Sequence, residues 1–168
     1  MTTAALERAD LGRAELAEAD LTMAVLEGAD LTEAKLVGGA ILAGAYLGGA
    51  TLTGADLDRA DLTGARLDGA ILTEAGLTRT NLIKAVLDGA DLTRAHLGNA
   101  AWTDDTTWPS QLRAEIRAES TTRETALGVI LEVRKDYRVR PGASTRKARM
   151  KRHRGHSHAL SAWPDHNL

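Results

Sequence analysis

Leucine recurs every five residues through the first hundred residues of the chain, with alanine two positions before it. Leucine stands at positions 6, 11, 16, 21, 26, 31 and 36, and then at 42, 47, 52, 57, 62, 67, 72, 77, 82, 87, 92 and 97. Trp102 takes the next position, and Thr80 alone replaces the preceding alanine. Such self-similarity at a fixed period is typical of a repeat architecture.

A period of five fits neither a helix nor a long strand. Five residues advance a helix by about 500°, so the leucines would be scattered around it and would form no apolar stripe. Within one unit, Ala-x-Leu has the alternation of a very short extended segment. The two remaining positions are rich in Gly, Thr, Asp and Glu, which suit a turn. Each unit therefore predicts one short side and one corner of a solenoid with leucine and alanine inside.

Several units resemble those of the pentapeptide-repeat family. They are Ala-Asp-Leu-Thr-Glu (29–33), Ala-Asp-Leu-Asp-Arg (55–59), Ala-Asp-Leu-Thr-Gly (60–64) and Ala-Asp-Leu-Thr-Arg (90–94). The resemblance implies an all-β solenoid, a right-handed quadrilateral parallel β-helix with four units per coil. Twenty units give about five coils over residues 1–102. At about 4.8 Å per coil, the rod would be roughly 24 Å long.

One extra residue interrupts the period at Val37-Gly38-Gly39, where two residues are normal. Glycine suits the backbone of such a bulge. A tolerated insertion and a deliberate bend or contact point are both open at this stage. Each unit should stack on the unit four places further along, with one more residue in the spacing across the bulge. The outward position before each leucine then gives one column that is less polar than the other three. Its Val25, Tyr46 and Val86 are candidates for an apolar contact face, seating the C-terminal segment or a second subunit in a homodimer.

Residues 103–142 are expected to cap the last coil, which otherwise has an open edge. The Asp/Thr-rich segment ending at Trp108-Pro109 resembles the terminal cap of the family. Ser110 to Glu119 predicts a helix, with Leu112 and Ile116 on one face. Residues 123–140 are ambiguous between helix and strand, and a helix from about Arg123 to Asp136 is the favoured interpretation. The segment from Tyr137 to Arg140 is predicted to be extended.

Residues 143–168 are predicted to be a disordered basic and histidine-rich tail, since they offer few apolar residues for a core. Six cations fall within nine residues: Arg146, Lys147, Arg149, Lys151, Arg152 and Arg154. These residues are candidates for contact with a polyanion, either nucleic acid or an acidic surface. The residues His153, His156 and His158 could also bind a metal, but the sequence offers them no supporting shell.

The charge is divided unequally along the chain. Residues 1–102 carry 8 Lys/Arg and 15 Asp/Glu, while residues 103–168 carry 13 and 8. Cysteine is absent, which excludes disulfides and thiolate metal sites. No metal or cofactor site is expected. The sequence shows no membrane-spanning run and no signal peptide, so a cytoplasmic location is expected.

The sequence therefore predicts a non-enzymatic binding or scaffold protein, because its carboxylates project from a regular convex surface and no nucleophile–base pattern stands out. Its macromolecular partner is expected to be a protein of unidentified kind. The alternative comes from the resemblance: some pentapeptide-repeat proteins mimic DNA, bind DNA gyrase or topoisomerase IV, and protect against quinolones or toxins.

Overall fold

The solenoid predicted from the five-residue period is present in the computed structural model, which describes residues 4–125 and 128–142. Parallel bridges join each unit to the unit one coil above. Ala5 bridges Val25 at the regular spacing, and bridges across the bulge, such as Asp20–Ile41, span one residue more. Four units therefore complete one coil, and the stacking register follows the prediction.

The bridges define four sides, which are numbered here in chain order. Side 1 holds Ala5, Val25, Tyr46, Arg66 and Val86; side 2 holds Asp10, Asp30, Thr51, Ile71 and Asp91; side 3 holds Glu15, Lys35, Asp56, Gly76 and His96; side 4 holds Asp20, Ile41, Asp61, Asn81 and Ala101. Every column has the membership that the sequence predicts.

The repeated leucines form the core. Sixteen of the nineteen are buried, and the other three, Leu6, Leu11 and Leu16, are half-buried in the first coil and pack against the same cluster. The inward alanines lie between them. Thr80 is fully buried in place of alanine, and its hydroxyl donates a hydrogen bond of 2.8 Å to the carbonyl oxygen of Leu57. The hydroxyl thus has a partner, as a buried polar group requires.

The Asp-Leu-Thr order, which occurs in four units, has a local cause. The carboxylate of Asp30 accepts hydrogen bonds from the backbone N–H of Thr32 at 2.9 Å and from its hydroxyl at 2.6 Å. Asp20 and Asp61 bond Thr22 and Thr63 in the same way. An aspartate that bonds the backbone two residues on is a known turn former. The motif therefore fixes the corner in the units that contain it.

Each two-residue corner is part of a β-turn whose third residue has a positive φ. For example, the N–H of Ala65 donates to the carbonyl of Leu62 at 3.0 Å, and Gly64 between them has φ 65°. A positive φ at the third residue is the mark of a type II turn, in which glycine is preferred. Eleven non-glycine residues also occupy this conformation in the described part of the chain, Arg59 among them with φ 66°.

We expect Gly64→Ala to destabilise the protein by roughly 1 kcal/mol, because a Cβ is strained at this φ. A Cβ on Gly64 would meet no heavy atom within 4 Å, so crowding adds nothing to this cost. The reverse change, Arg59→Gly, should have the opposite sign or be close to neutral, since it removes the same strain. Urea unfolding of both variants measures the difference. Equal effects of one sign would contradict this interpretation of the corners.

The bulge at residues 37–39 is absorbed within one corner. Gly38 and Gly39 have φ 77° and 100°, and a Cβ on Gly39 would meet nothing within 4 Å. The bridges Lys35–Asp56 and Asp20–Ile41 continue on either side of it. The extra residue therefore changes the register without interrupting the ladders.

A second three-residue corner, Thr103-Asp104-Asp105, adds one further unit after Trp102. Thr107 bridges Val86, again with one residue more than in a regular coil, and Trp108 then takes the inward position. Thr106 replaces alanine, as Thr80 does, and its hydroxyl donates to the carbonyl of Leu82 at 2.8 Å. The two indole rings pack edge to face, with centroids 5.7 Å apart and an angle of 89°.

The last coil ends in strand β1 (Ala101–Trp102), which belongs to side 4. Helix α1 (Arg113–Ala118) and strands β2 (Ser120–Thr125) and β3 (Gly128–Val133) follow and cover this coil. The three strands form an antiparallel sheet in the order β1-β3-β2. Through β3, the C-terminal segment pairs with the exposed edge of side 4 at Ala101. Further on, Arg138 bridges His96 of side 3, also antiparallel.

The predicted helix from about Arg123 to Asp136 is wrong, because the described residues of this segment form the β2–β3 hairpin and the turn after it. The segment is rich in β-branched residues, and Leu131 and Val133 are buried with a half-buried residue between them, as in a strand. The decisive influence is the open edge of the last coil, which only a strand can pair. The earlier helix covers Arg113–Ala118, within the predicted Ser110–Glu119, and both Leu112 and Ile116 are buried.

Candidate functional site

The predicted apolar contact residues lie in one column on side 1. Val25 bridges Tyr46, while Arg66 separates Tyr46 from Val86. All three predicted residues are half-buried, and Arg66 is exposed. The exposed guanidinium of Arg66 interrupts the column, so Val25 and Tyr46 form its continuous apolar portion.

Two residues extend this portion around the adjacent corner. Ile41 on side 4 is 40% exposed, and Met23 on the corner between sides 4 and 1 is 46% exposed. The sulfur of Met23 lies over Gly44, only 2.5 Å from where a Cβ on that glycine would be. The thioether therefore covers the bare corner next to Tyr46. We call Met23, Val25, Ile41 and Tyr46 the apolar patch.

Sequence reasoning missed Met23 and Ile41 as site residues. Ile41 stands in the fourth column among two aspartates, so its column suggested a polar side. Met23 occupies a corner position that is glycine or a charged residue in nearly every other unit. The apolar side chain of Met23 at a corner position was the signal that the sequence offered. The residues that surround Met23, however, depend on which coil is stacked above it.

The net negative charge concentrates on a different edge of the rod. Side 2 and the corner between sides 1 and 2 together carry seven carboxylates and one arginine, Arg8. The carboxylates are Glu7, Asp10, Glu27, Asp30, Asp68, Asp88 and Asp91. This acidic edge accounts for −6 of the −7 charges of residues 1–102. The asymmetry gives the rod one apolar corner and one acidic corner, with side 1 between them.

Most of these carboxylates have no cation beside them. In the described part of the chain, Asp68 is the sole member of the acidic edge in an ion pair, 3.3 Å from Arg66. The hydroxyl of Thr32 holds the pKa of Asp30 below its ordinary value, and Thr93 does the same for Asp91. Both carboxylates therefore stay ionised at neutral pH, and the edge keeps its negative charge.

Other charged columns are neutralised by stacking. Arg13 and Glu33 stand one coil apart and pair at 2.7 Å, and Arg94 pairs with Glu74 at 2.8 Å. On side 3, Lys35 pairs with Glu15 at 2.6 Å. These exposed pairs add little stability. Their effect is to leave the net negative charge on the acidic edge.

Within residues 4–125 and 128–142, no group of three or more His, Asp or Glu side chains is placed to hold a metal ion. In the same residues, no helix has the length and apolar character needed to cross a bilayer. The six predicted cationic contact residues, between Arg146 and Arg154, lie outside the described residues. The same holds for the predicted disorder of residues 143–168.

Comparisons with known proteins agree with the repeat geometry. The family model for pentapeptide repeats matches eight copies over residues 9–40, 40–79 and 70–101. No curated protein matches the chain. The crystal structure of the pentapeptide repeat protein Rfr23 from the cyanobacterium Cyanothece 51142 is 36% identical, with a TM-score of 0.50. The alignment covers 51% of this chain and 57% of that one.

A second solved structure is HetL, a pentapeptide repeat protein involved in heterocyst differentiation regulation in the cyanobacterium Nostoc sp. strain PCC 7120. It is 33% identical, with a TM-score of 0.49, and the alignment covers 59% of this chain and 52% of HetL. This chain thus spans a little over half the length of each of the two. Since the family model covers residues 9–101, more than half of the chain, the protein belongs to the pentapeptide repeat family, whose members are generally non-enzymatic repeat scaffolds.

Proposed function

We propose that the protein is a cytoplasmic binding scaffold that docks a protein partner on the apolar patch. The observation that carries the proposal is the exposure of Met23 and Ile41 beside Tyr46, which places apolar side chains together at one corner of a regular surface. Exposed apolar patches on soluble proteins commonly mark interaction sites. An aromatic ring among aliphatic side chains is also the usual composition of an interface anchor.

The basic segment of residues 146–154 supports a second part of the proposal. Its six cations suit an acidic partner surface or a nucleic acid, without base-specific recognition. Contacts of this kind weaken as salt rises, because the screening length falls from about 10 Å at 0.1 M to about 3 Å at 1 M. In this proposal the patch gives specificity and the tail adds salt-sensitive affinity.

The test uses a photo-crosslinking side chain at position 46 in the full chain, followed by identification of the crosslinked protein. Crosslinking to that protein should be lost when the chain also carries Ile41→Ser and retained when it carries Ile71→Ser. Ile71 is the matched control because it is equally exposed, at 42%, but lies on side 2. Equal binding by both variants would refute the role of the patch. A crosslink to a second copy of this chain would identify a homodimer interface in place of a partner site.

We expect deletion of residues 143–168 to flatten the salt dependence of partner binding, because it removes six cations and only one carboxylate. Affinity measured at low and high salt, for the full chain and for residues 1–142, checks this. If the deletion changes neither affinity nor its slope with salt, the tail has no part in binding.

DNA mimicry with binding to DNA gyrase or topoisomerase IV is the second candidate function, and the acidic edge favours it. Duplex DNA carries one charge per about 1.7 Å, or roughly 14 over the length of the rod. The edge carries −6, so its potential is well below that of DNA. A gyrase supercoiling assay with and without a quinolone tests this candidate. Protection lost on Asp30→Asn and Asp88→Asn would support it, and no effect of the wild-type protein would exclude it.

A further inference from the structure

A cleft lies at the capped end of the rod, on the corner between sides 4 and 1. Its volume is about 570 Å³, and it is lined by Ile83, Lys84, Val129, Ile130 and the corner Thr103–Asp105. Val129 is 51% exposed, more than any other large hydrophobic residue in the described part of the chain. Ile83, Val129 and Ile130 offer apolar surface to an occupant, and Lys84, Asp104 and Asp105 add charged groups beside it.

The cleft also contains an unsatisfied polar atom. The hydroxyl oxygen of Thr103 is buried and has no hydrogen-bond partner among the described residues. Buried hydroxyls in native proteins are nearly always paired. Because this oxygen has almost no accessible surface, an occupant of the cleft would reach it only after rotation of the Thr103 side chain.

The described chain ends on the same coil, at the opposite corner. Val139 and Arg94 are joined by a backbone hydrogen bond of 2.9 Å, and the guanidinium of Arg138 donates to the carbonyl of Arg94, also at 2.9 Å. From Arg94 back to Ile83, the coil passes Asp91 and Asp88. Neither carboxylate has an ion-pair partner in the described residues, and Asp88 is exposed.

The residues after Gly142 match this path in the order of their charge and hydrophobicity. The six cations of residues 146–154 come first, and the apolar residues Leu160 and Trp163 follow. Seventeen residues separate Gly142 from Leu160, which allows a span of up to about 56 Å. The coil itself covers the distance from Arg94 to Ile83 in eleven residues, so the segment is long enough.

We propose that residues 143–163 bind along the last coil of their own chain, with the cations beside Asp91 and Asp88 and with Leu160 and Trp163 in the cleft. The segment would cover Val129 and Ile130. This inference goes beyond the proposed function and needs no partner. A partner that takes up the basic segment would have to displace it from the coil first.

The test follows Trp163 fluorescence, taken as the difference between the full chain and its Trp163→Phe variant, so that the signals of Trp102 and Trp108 cancel. We expect blue-shifted emission that is protected from acrylamide. Val129→Ser should shift this emission to the red and increase quenching, whereas Ile41→Ser, also an exposed apolar residue, should change neither. Emission typical of a water-exposed indole, or equal effects of the two variants, would overturn the proposal.

Zero-length carbodiimide crosslinking tests the path of the basic segment. Lys147 and Lys151 should form amide crosslinks to Asp88 and Asp91 more often than to Asp20 and Asp61, which lie on the opposite side of the rod. Crosslinks distributed evenly over these four aspartates would overturn the proposed path. A blue shift or crosslink that appears only at higher protein concentration would place a second copy in the cleft and would equally overturn it. None of these outcomes depends on the binding of a partner to the apolar patch.

Discussion

Leu62→Asp is expected to prevent folding of the solenoid. Leu62 is fully buried in the middle of the rod, and its unit is bonded to the coils below and above it. A carboxylate at this position would be buried without a cation or hydrogen-bond donor, which is among the most costly single changes in a protein core. Even Leu62→Ala should cost roughly 2–5 kcal/mol, because it leaves a cavity. Circular dichroism and thermal unfolding measure both effects.

Leu11→Asp is the matched control, since Leu11 has the same place in its unit but is only half-buried. Its carboxylate would keep contact with water, so we expect a folded protein with a reduced melting temperature. The comparison separates burial from the chemical change itself. An unchanged melting temperature in Leu62→Asp would contradict the inward assignment of the leucines.

Gly98→Ala is expected to detach the C-terminal cap from the last coil. Gly98 is buried, and a Cβ there would overlap the carbonyl oxygen of Lys135 and lie 2.9 Å from its carbonyl carbon. Backbone on both sides cannot move aside as a flexible side chain would. The bonds from Leu97 to Tyr137 and from Asn99 to Val133 flank this contact, so both should weaken. The exposed edge then favours aggregation.

Gly48→Ala provides the control for the cap prediction. Gly48 has the same place in its unit, and its Cβ would meet the carboxylate of Asp68 at an ordinary 3.5 Å. We expect this variant to stay monomeric and close to the wild type in stability. Amide hydrogen exchange in β3 and light scattering distinguish the two variants. Full protection of β3 in Gly98→Ala would show that the close approach is not required for docking.

The errors of sequence reasoning lie where the repeat stops. In the repeat, Ala-x-Leu defines each unit locally, and stacking adds similar contacts in every coil. The Asp-Leu-Thr turn supports the corner in four of the units. After Trp108 the chain has no period, so Arg123 to Asp136 was assigned from propensity alone. The segment became a strand because β3 could bond to the free edge at Ala101. Propensity carries no information about an edge formed elsewhere in the chain.

The sequence predicts only part of the candidate site, for a related reason. The sequence predicts that Val25 and Tyr46 share a column, because the four units per coil implied by the family resemblance, together with the bulge, give the length of each coil. The columns alone do not identify Met23 as a site residue, since its exposure and its position over Gly44 depend on the corner geometry of two stacked coils. The cleft at Val129 could not be predicted from the sequence, because it forms where the β2–β3 hairpin lies against the corner at residues 103–105.

The sequence by itself determined a solenoid of short sides and corners with the leucines inside, and the family resemblance added the four units per coil that set its register. A residue that recurs every five positions is buried throughout only if each unit turns the chain, and each coil then contacts only its neighbours. The tertiary structure alone decided how the last coil is closed and which outward residues form a common surface. Those features join residues distant in sequence, such as Gly98 with Lys135 and Ile83 with Val129, and no local pattern encodes such contacts.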